Sequence, residues 1–510
     1  MKTNNIFKIG MLASLAVLTG CGDSFLEVTS PTQDFVETYY TDSVHISQSL
    51  VAAYSPLEWN DWNGAQYNPQ NVMSEIMADD ILPGGQSPVD NQFWHLMANY
   101  EALPTNCMTG MWSNMYSGVK RSNDLLKYAE EHKTVLPQAA YDLWTAEART
   151  LRAYYYNMLW KFWGNIPFFF ENLSAPFTAP QLENKVIYEN VIKDLQEVID
   201  MKVLPTKWDD NNLGRVTQPT AYMLFTEMVM YQKDETRYAK ALGYMQEIIN
   251  SGKFGLHNSY SDLFSSTGEW CEESIFEVNY SDLKTNRGWG SGDAIIAGGT
   301  VLPRLATVPG GIPELGIDDG WGFCPVREAA YSMYDAKDTR RDVSVLDVRK
   351  YNEANPNFKP RYENTGFWCG KFVAYSKNVE RATGDKQLNY NNNLRIYRYA
   401  ETLLNAAELL LKTGGSNATA MGYVNQVRMR AGVEQLTKLT EDDILEERHL
   451  EFMGEGKRYW DLVRSGKAAT VLGPQQTFRT NAWSEARKYQ PIPYTEMSKD
   501  TGLKQNSDYK

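Results

Sequence analysis

The chain has 510 residues and a formal net charge of −13, which grows by two if Lys2 and Lys8 leave with an N-terminal leader. That balance excludes nucleic acid and anionic lipid as partners held by charge. Beyond the leader, no stretch reaches the roughly 18 apolar residues of a permanent transmembrane helix.

The leader opens the chain. Lys2 and Lys8 form a basic start, Ile9 to Leu18 is apolar, and Thr19-Gly20 lead into Cys21. This pattern resembles a bacterial lipoprotein signal, so residues 1–20 read as a signal peptide and Cys21 as the lipidated N-terminus of the mature chain. Residues 21–40 read as a tether, and 41–510 as a single domain. Helices are predicted at Thr41–Tyr54, Trp112–Glu131 and Tyr141–Gly164. In the last, Ala148, Leu151, Tyr155, Met158 and Phe162 step by three and four, and Gly164 and Pro167 stop the pattern. Further helices are predicted near Ile187–Met201, Pro219–Tyr231 and Tyr238–Asn250. Ser274–Tyr280 alternates like a short strand. Arg395–Lys412, Ala418–Ala431 and Asp442–Arg464 return to helix, in pairs with small residues inward. Two parts are loop-rich, near 56–110 and 281–322, and long loops of this kind tend to carry function.

Cys107, Cys271, Cys324 and Cys369 show no CxxC spacing, so no structural zinc is expected, and both disulfides and free thiols stay open. There is no HExxH, GxSxG, Walker or GxGxxG pattern in the proper context, so no catalytic residue, cofactor or metal is assigned. Asp79-Asp80 offer oxygen ligands to Ca²⁺, but no EF-hand-like loop accompanies them.

Several segments, in order, carry a resemblance. They are Asp23-Ser24-Phe25-Leu26-Glu27 with Pro31, Leu151-Arg152-Ala153-Tyr154-Tyr155-Tyr156, Gly164-Asn165-Ile166-Pro167, and Gly214-Arg215-Val216-Thr217. The C-terminal set is denser: Tyr397-Arg398-Tyr399-Ala400-Glu401, Glu447-Arg448-His449-Leu450-Glu451-Phe452, Gly454-Glu455-Gly456-Lys457-Arg458 and Trp460-Asp461-Leu462. The chain resembles the SusD/RagB family of outer-membrane nutrient-binding lipoproteins. The resemblance implies a mostly α fold: a scaffold of tetratricopeptide-like helical hairpins, a loop-rich ligand-binding part and a few short strands. It also implies a lipid anchor in the outer membrane facing the cell exterior. The expected ligand is an oligosaccharide or polysaccharide, delivered to a SusC-like TonB-dependent transporter. A peptide-binding RagB-like importer component and a surface glycan hydrolase are the alternatives. Arg448, Glu451 and Arg458 resemble catalytic groups, but lie where charge pairs tie helix ends to neighbours, and are assigned to the scaffold.

The ligand site is expected in the loops. The chain has 14 Trp. Those on predicted helices, such as Trp112, Trp160 and Trp460, read as core. An indole left in water forgoes roughly 2–3 kcal/mol of burial, so exposed loop tryptophans point to binding. A sugar ring has a C–H face that an aromatic ring covers and hydroxyls that Asp, Asn or Arg can take in pairs. Trp62, Trp94, Trp289 and Trp321 are the expected aromatic platform, with Asp61 and Asp80 as polar partners.

Overall fold

The computed structural model describes residues 39–62, 66–289, 298–356, 358–474, 476–506 and 508–509. The leader, Cys21 and most of the tether lie outside them. The longer helices are α1 (Ser43–Tyr54), α2 (Thr109–Glu131), α3 (Gln138–Trp163), α4 (Asn184–Met201), α5 (Gln218–Gln232), α6 (Tyr238–Asn250), α7 (Tyr399–Lys412), α8 (Asn417–Arg430), α9 (Glu441–Phe452) and α10 (Arg458–Ser465). From α1 to α8 each packs on the next, so the helices form a continuous hairpin array. Local chemistry sets their ends. Asp42 caps α1, and Thr217 and Thr440 close capping boxes on α5 and α9. Gly164 and Gly466 stop α3 and α10 at positive φ, 72° and 78°.

The apolar step read in α3 is buried, as its period predicts, but so is nearly everything else on that helix. Apart from Arg149, every residue from Thr145 to Trp163 is buried, because α2, α4 and α5 all pack against α3. Gly118 of α2 makes the closest approach possible: a Cβ there would sit 2.4 Å from the Tyr155 ring.

The array is interrupted between α6 and α7 by residues 251–398, yet those two helices still pack together. The excursion therefore leaves the scaffold and returns to it. It contains β3 (Ser274–Val278), which pairs antiparallel with β6 (Leu394–Arg398) at its end. The small sheets β1–β2 (Ile166–Pro167 with Gln181–Leu182) and β4–β5 (Val345–Asp347 with Phe367–Cys369) complete the strands among the described residues.

Three expectations need correction. Residues 395–398 are strand rather than helix, because Tyr397 is drawn into register opposite Phe276. Asp442–Arg464 is two helices, because Gly454 and Gly456 take φ of 83° and 80° and turn the chain between α9 and α10. The loop-rich 56–110 part holds short helices at Gln70–Glu75 and Gln92–Ala98, and much of it is core: every residue from Gln70 to Ala78 is buried. Cys107, Cys271, Cys324 and Cys369 are free thiols, and only Cys271 is not fully buried.

Where the excursion rejoins the array, charges replace apolar packing. Arg398 bonds Glu455 at 2.7 Å and Glu451 at 2.9 Å and also pairs with Glu273. Arg430 reaches Glu273 and Glu451, Arg340 reaches Glu447, Glu451 and Asp338, Arg428 reaches Glu447, and Lys371 reaches Glu455. Five cations thus face five carboxylates. Burial alone would raise the Glu451 pKa, but Arg430, Arg398 and Arg340 outweigh it and hold this carboxyl well below the usual range. Arg448 bonds Asp461 and Asn405, and Arg458 bonds Asp79, so all three of the scaffold assignments sit in structural pairs. Removing one carboxylate leaves five cations facing four carboxylates, so one positive charge goes uncompensated. Glu451→Gln should therefore cost about 3–5 kcal/mol, read as a lower urea midpoint; an unchanged midpoint would remove the network from the stability account.

Glu75 is the opposite case. One oxygen accepts the Gly456 N–H at 2.7 Å and the other has no hydrogen-bond partner among the described residues. Burial, with Asp80 nearby, pushes its carboxyl up to about 8. The folded state thus holds a proton that the unfolded state releases near 4.5, and this group's contribution to stability falls as pH rises between those values. Glu75→Gln should stabilise by roughly 1–3 kcal/mol near pH 8 and by nearly nothing near pH 4, measured by urea unfolding at both pH values.

Candidate functional site

The excursion and the segment after α1 are stapled by one buried ion pair. Asp61 ends a 3₁₀ turn over Ser55–Asp61, whose Pro56 suits the first turn. Its carboxylate meets both terminal nitrogens of Arg287, at 3.1 and 3.3 Å, and accepts the Val301 N–H at 2.6 Å. Arg287 also donates to the carbonyls of Trp62 (3.2 Å) and Gly299 (2.8 Å), and its guanidinium lies 5.2 Å from the Trp62 ring centroid. Asp61 is therefore fully engaged and buried. It does not point to solvent as the sequence reading expected; it brings two distant segments together.

What it brings together is a closed quartet of aromatic rings. Trp62 lies 5.3 Å from Trp289, Trp289 lies 5.7 Å from Trp321, Trp321 lies 5.5 Å from Tyr67, and Tyr67 lies 6.4 Å from Trp62, all between ring centroids. Trp289 is 48 % exposed and Trp62 only 8 %, so Trp289 is the outer wall and Trp62 the floor, with Trp321 and Tyr67 half-buried between them. The rings are not coplanar. Successive planes around Trp289 and Trp321 tilt by 58°, 38° and 59°, which makes the surface curved.

Each ring is fixed from behind. The Trp289 indole N–H donates to the Asp385 carboxylate, whose segment pairs with the backbone at Thr285 and Arg287. Trp321 follows Gly320, where a Cβ would sit 1.9 Å from the Thr307 carbonyl oxygen, and its N–H bonds the Arg304 carbonyl at 2.8 Å. Burial pushes the Tyr67 hydroxyl up to about 12, so it stays a neutral donor and acceptor at neutral pH. Beneath, burial raises Glu58 to about 7 despite the Gly298 N–H it accepts.

Two further expected residues lie elsewhere. Trp94 is completely buried on Gln92–Ala98; it packs 5.1 Å from Phe323 and donates its indole N–H to the Tyr67 carbonyl at 2.9 Å. It supports Tyr67 from inside. Asp80 is buried against His449, at 2.8 Å, and adjacent Asp79 is paired with Arg458. Burial alone would raise the Asp79 pKa, but Arg458 pulls it down to about 2. Both carboxylates are engaged by the protein's own side chains, Asp79 by Arg458 and Asp80 by His449. Tyr67 was missed, although it sits five residues after Trp62; Arg287 and Asp385 carried no local signal at all. A separate cavity of about 670 Å³, between Trp112, Tyr116, Phe169, Phe177 and Leu503, shares no residue with the quartet. The quartet itself offers curved apolar faces with a hydroxyl and carboxylates at its edges.

Comparison with known proteins gives concordant matches. A sequence model described as "SusD family" matches residues 326–509, and one described as "Starch-binding associating with outer membrane" matches residues 24–228. The solved structure of surface glycan-binding protein A from Bacteroides thetaiotaomicron, in complex with laminarihexaose, is 47 % identical. The alignment covers 91 % of this chain and 100 % of that one, with a TM-score of 0.86. Surface glycan-binding protein A from Bacteroides uniformis is 45 % identical over 92 % of this chain and 100 % of its own, with a TM-score of 0.83. A SusD-like protein of Bacteroides ovatus is 24 % identical over 89 % of this chain and 82 % of its own. With the hairpin array, these matches mean that the chain belongs to the SusD family.

Proposed function

We propose that this chain is a surface glycan-binding protein whose quartet of Trp62, Tyr67, Trp289 and Trp321 grips a laminarin-type glucan. The observation that carries the reading is the meeting of three tryptophans and a tyrosine, drawn from three separated stretches of chain, around a half-exposed Trp289. Two supports come from outside the site: relatives bearing the name surface glycan-binding protein, and the laminarihexaose in one of their structures. The curvature adds a third. A β-1,3-linked glucan curls, so successive sugar faces turn and meet tilted rings; a flat β-1,4 ribbon needs coplanar ones.

Binding of this kind needs no covalent step. Preformed rings, braced by Asp385, Trp94 and the Asp61–Arg287 pair, lose little side-chain freedom when the sugar arrives. The lipid at Cys21 would hold the protein at the outer membrane facing outward. A SusC-like TonB-dependent transporter would then receive the captured glycan. The leader, the family and the outer-membrane wording of one family description support that arrangement. Cys21→Ser should move the protein from the membrane to the soluble fraction, read by fractionation and by loss of palmitate labelling.

Calorimetry on residues 22–510 tests the site. Laminari-oligosaccharides should bind at least tenfold more tightly than cello-oligosaccharides, a difference of about 1.4 kcal/mol or more. Trp289→Ala and Trp321→Ala should each weaken binding tenfold or more without lowering the melting temperature. Trp94→Ala should instead cost about 3–5 kcal/mol of stability, as for a buried aromatic. Full-strength binding by both Trp289→Ala and Trp321→Ala would place the site elsewhere, displacement of glucan by peptide would favour the importer alternative, and release of reducing ends would favour a hydrolase.

A further inference from the structure

A second group of chemistry-bearing side chains lies in the connection between α6 and β3, on residues that take no part in the aromatic quartet. Ligand atoms of His257, Cys271 and Glu272 all lie within 4.8 Å of one another. His257 Nδ1 is already 3.0 Å from a Glu272 carboxylate oxygen. The two strands of chain that carry them are fixed by backbone bonds. The Gly255 N–H donates to the Glu272 carbonyl at 3.0 Å, and the Ser274 N–H donates to the Cys271 carbonyl at 3.1 Å. The His257 N–H donates to Glu273 at 2.8 Å, and Glu273 is itself clamped by Arg398 and Arg430. The backbone under the group is therefore anchored to the buried ion network, while the side chains remain reachable: His257 is partly exposed and Glu272 about half exposed.

We propose that His257, Cys271 and Glu272 form a binding site for Zn²⁺. The donor set decides the metal. An imidazole nitrogen, a thiolate and one carboxylate suit Zn²⁺, whereas Ca²⁺ and Mg²⁺ require oxygen ligands throughout. The thiolate and the carboxylate carry two negative charges, which neutralise the ion. Three protein ligands leave a fourth tetrahedral position for water. Bond lengths near 2.0–2.3 Å put tetrahedral ligands about 3.3–3.7 Å apart, so the widest separations in the group must close by roughly 1 Å and the 3.0 Å His257–Glu272 pair must open slightly.

Metal binding must release the Cys271 thiol proton. One neighbour shapes the affinity. Lys207 carries a positive charge close enough to interact with Cys271 and Glu272, and its ammonium rests 4.5 Å from the Phe254 ring centroid. That charge opposes a cation, so Lys207→Met should tighten binding. Among the described residues the other cysteines are buried, so there Cys271 is the thiol that a metal can reach.

The test uses tag-free residues 22–510 titrated with Zn²⁺ against a chromophoric chelator, and with Co²⁺ as an optical substitute. The expected result is one equivalent bound and a thiolate-to-cobalt charge-transfer band. Cys271→Ser should abolish the band, and Cys271→Ser and His257→Ala should each weaken Zn²⁺ binding at least tenfold. Both should leave glucan binding unchanged, which separates a lost metal site from a lost fold. In the unsubstituted protein, Zn²⁺ should also slow alkylation of Cys271 by iodoacetamide at least tenfold. Absence of the cobalt band, full-strength Zn²⁺ uptake by both variants, or alkylation unaffected by Zn²⁺ would each overturn the proposal.

Discussion

Between β6, α8, α9 and the glycine turn after it, five cations and five carboxylates close on one another away from water. Buried ion pairs add little net stability over apolar packing, because desolvation offsets their attraction. What they impose is geometry. Arg398 satisfies Glu273, Glu451 and Glu455 together only when the end of β6, the start of β3 and the turn at Gly454–Gly456 are all in place. A long excursion can leave a helical array and return in many ways; a network that is neutral only when complete accepts one of them.

The same principle works on a smaller scale at the aromatic quartet. Asp61 and Arg287 are far apart in sequence and buried as a pair, and each also satisfies backbone groups of the other's segment. Trp62 and Trp289 are neighbours because their chain neighbours are ionically locked. A residue can thus matter to the proposed site without facing it. Asp61 and Trp94 are of this kind: one aligns the segments, the other props the Tyr67 backbone. The division of labour suits a binding protein, since rings held in advance lose little entropy on contact with a sugar.

The helical hairpins were legible in the sequence because their causes are local. The three-and-four spacing in α3, the Thr217 and Thr440 caps and the Gly164 and Gly466 stops each act within a few residues. Misreadings arose where a distant partner overruled local preference. Residues 395–398 look helical alone, and become strand only because β3 offers an edge. The Gly454–Gly456 break was visible as glycines, but its need came from the turn toward Asn71, Ser74 and Glu75.

The sequence by itself determined the helical scaffold, the family resemblance and the two loop-rich regions that supply the aromatic rings. Those are properties of short segments, and short segments can be read one at a time. Only the tertiary structure decided which rings meet. Trp62, Trp289 and Trp321 converge with Tyr67, while Trp94, Asp61 and Asp80 turn inward. An exposed and a buried tryptophan look alike in sequence. The side of the surface on which each ends is set by ion pairs and hydrogen bonds to other segments of the chain.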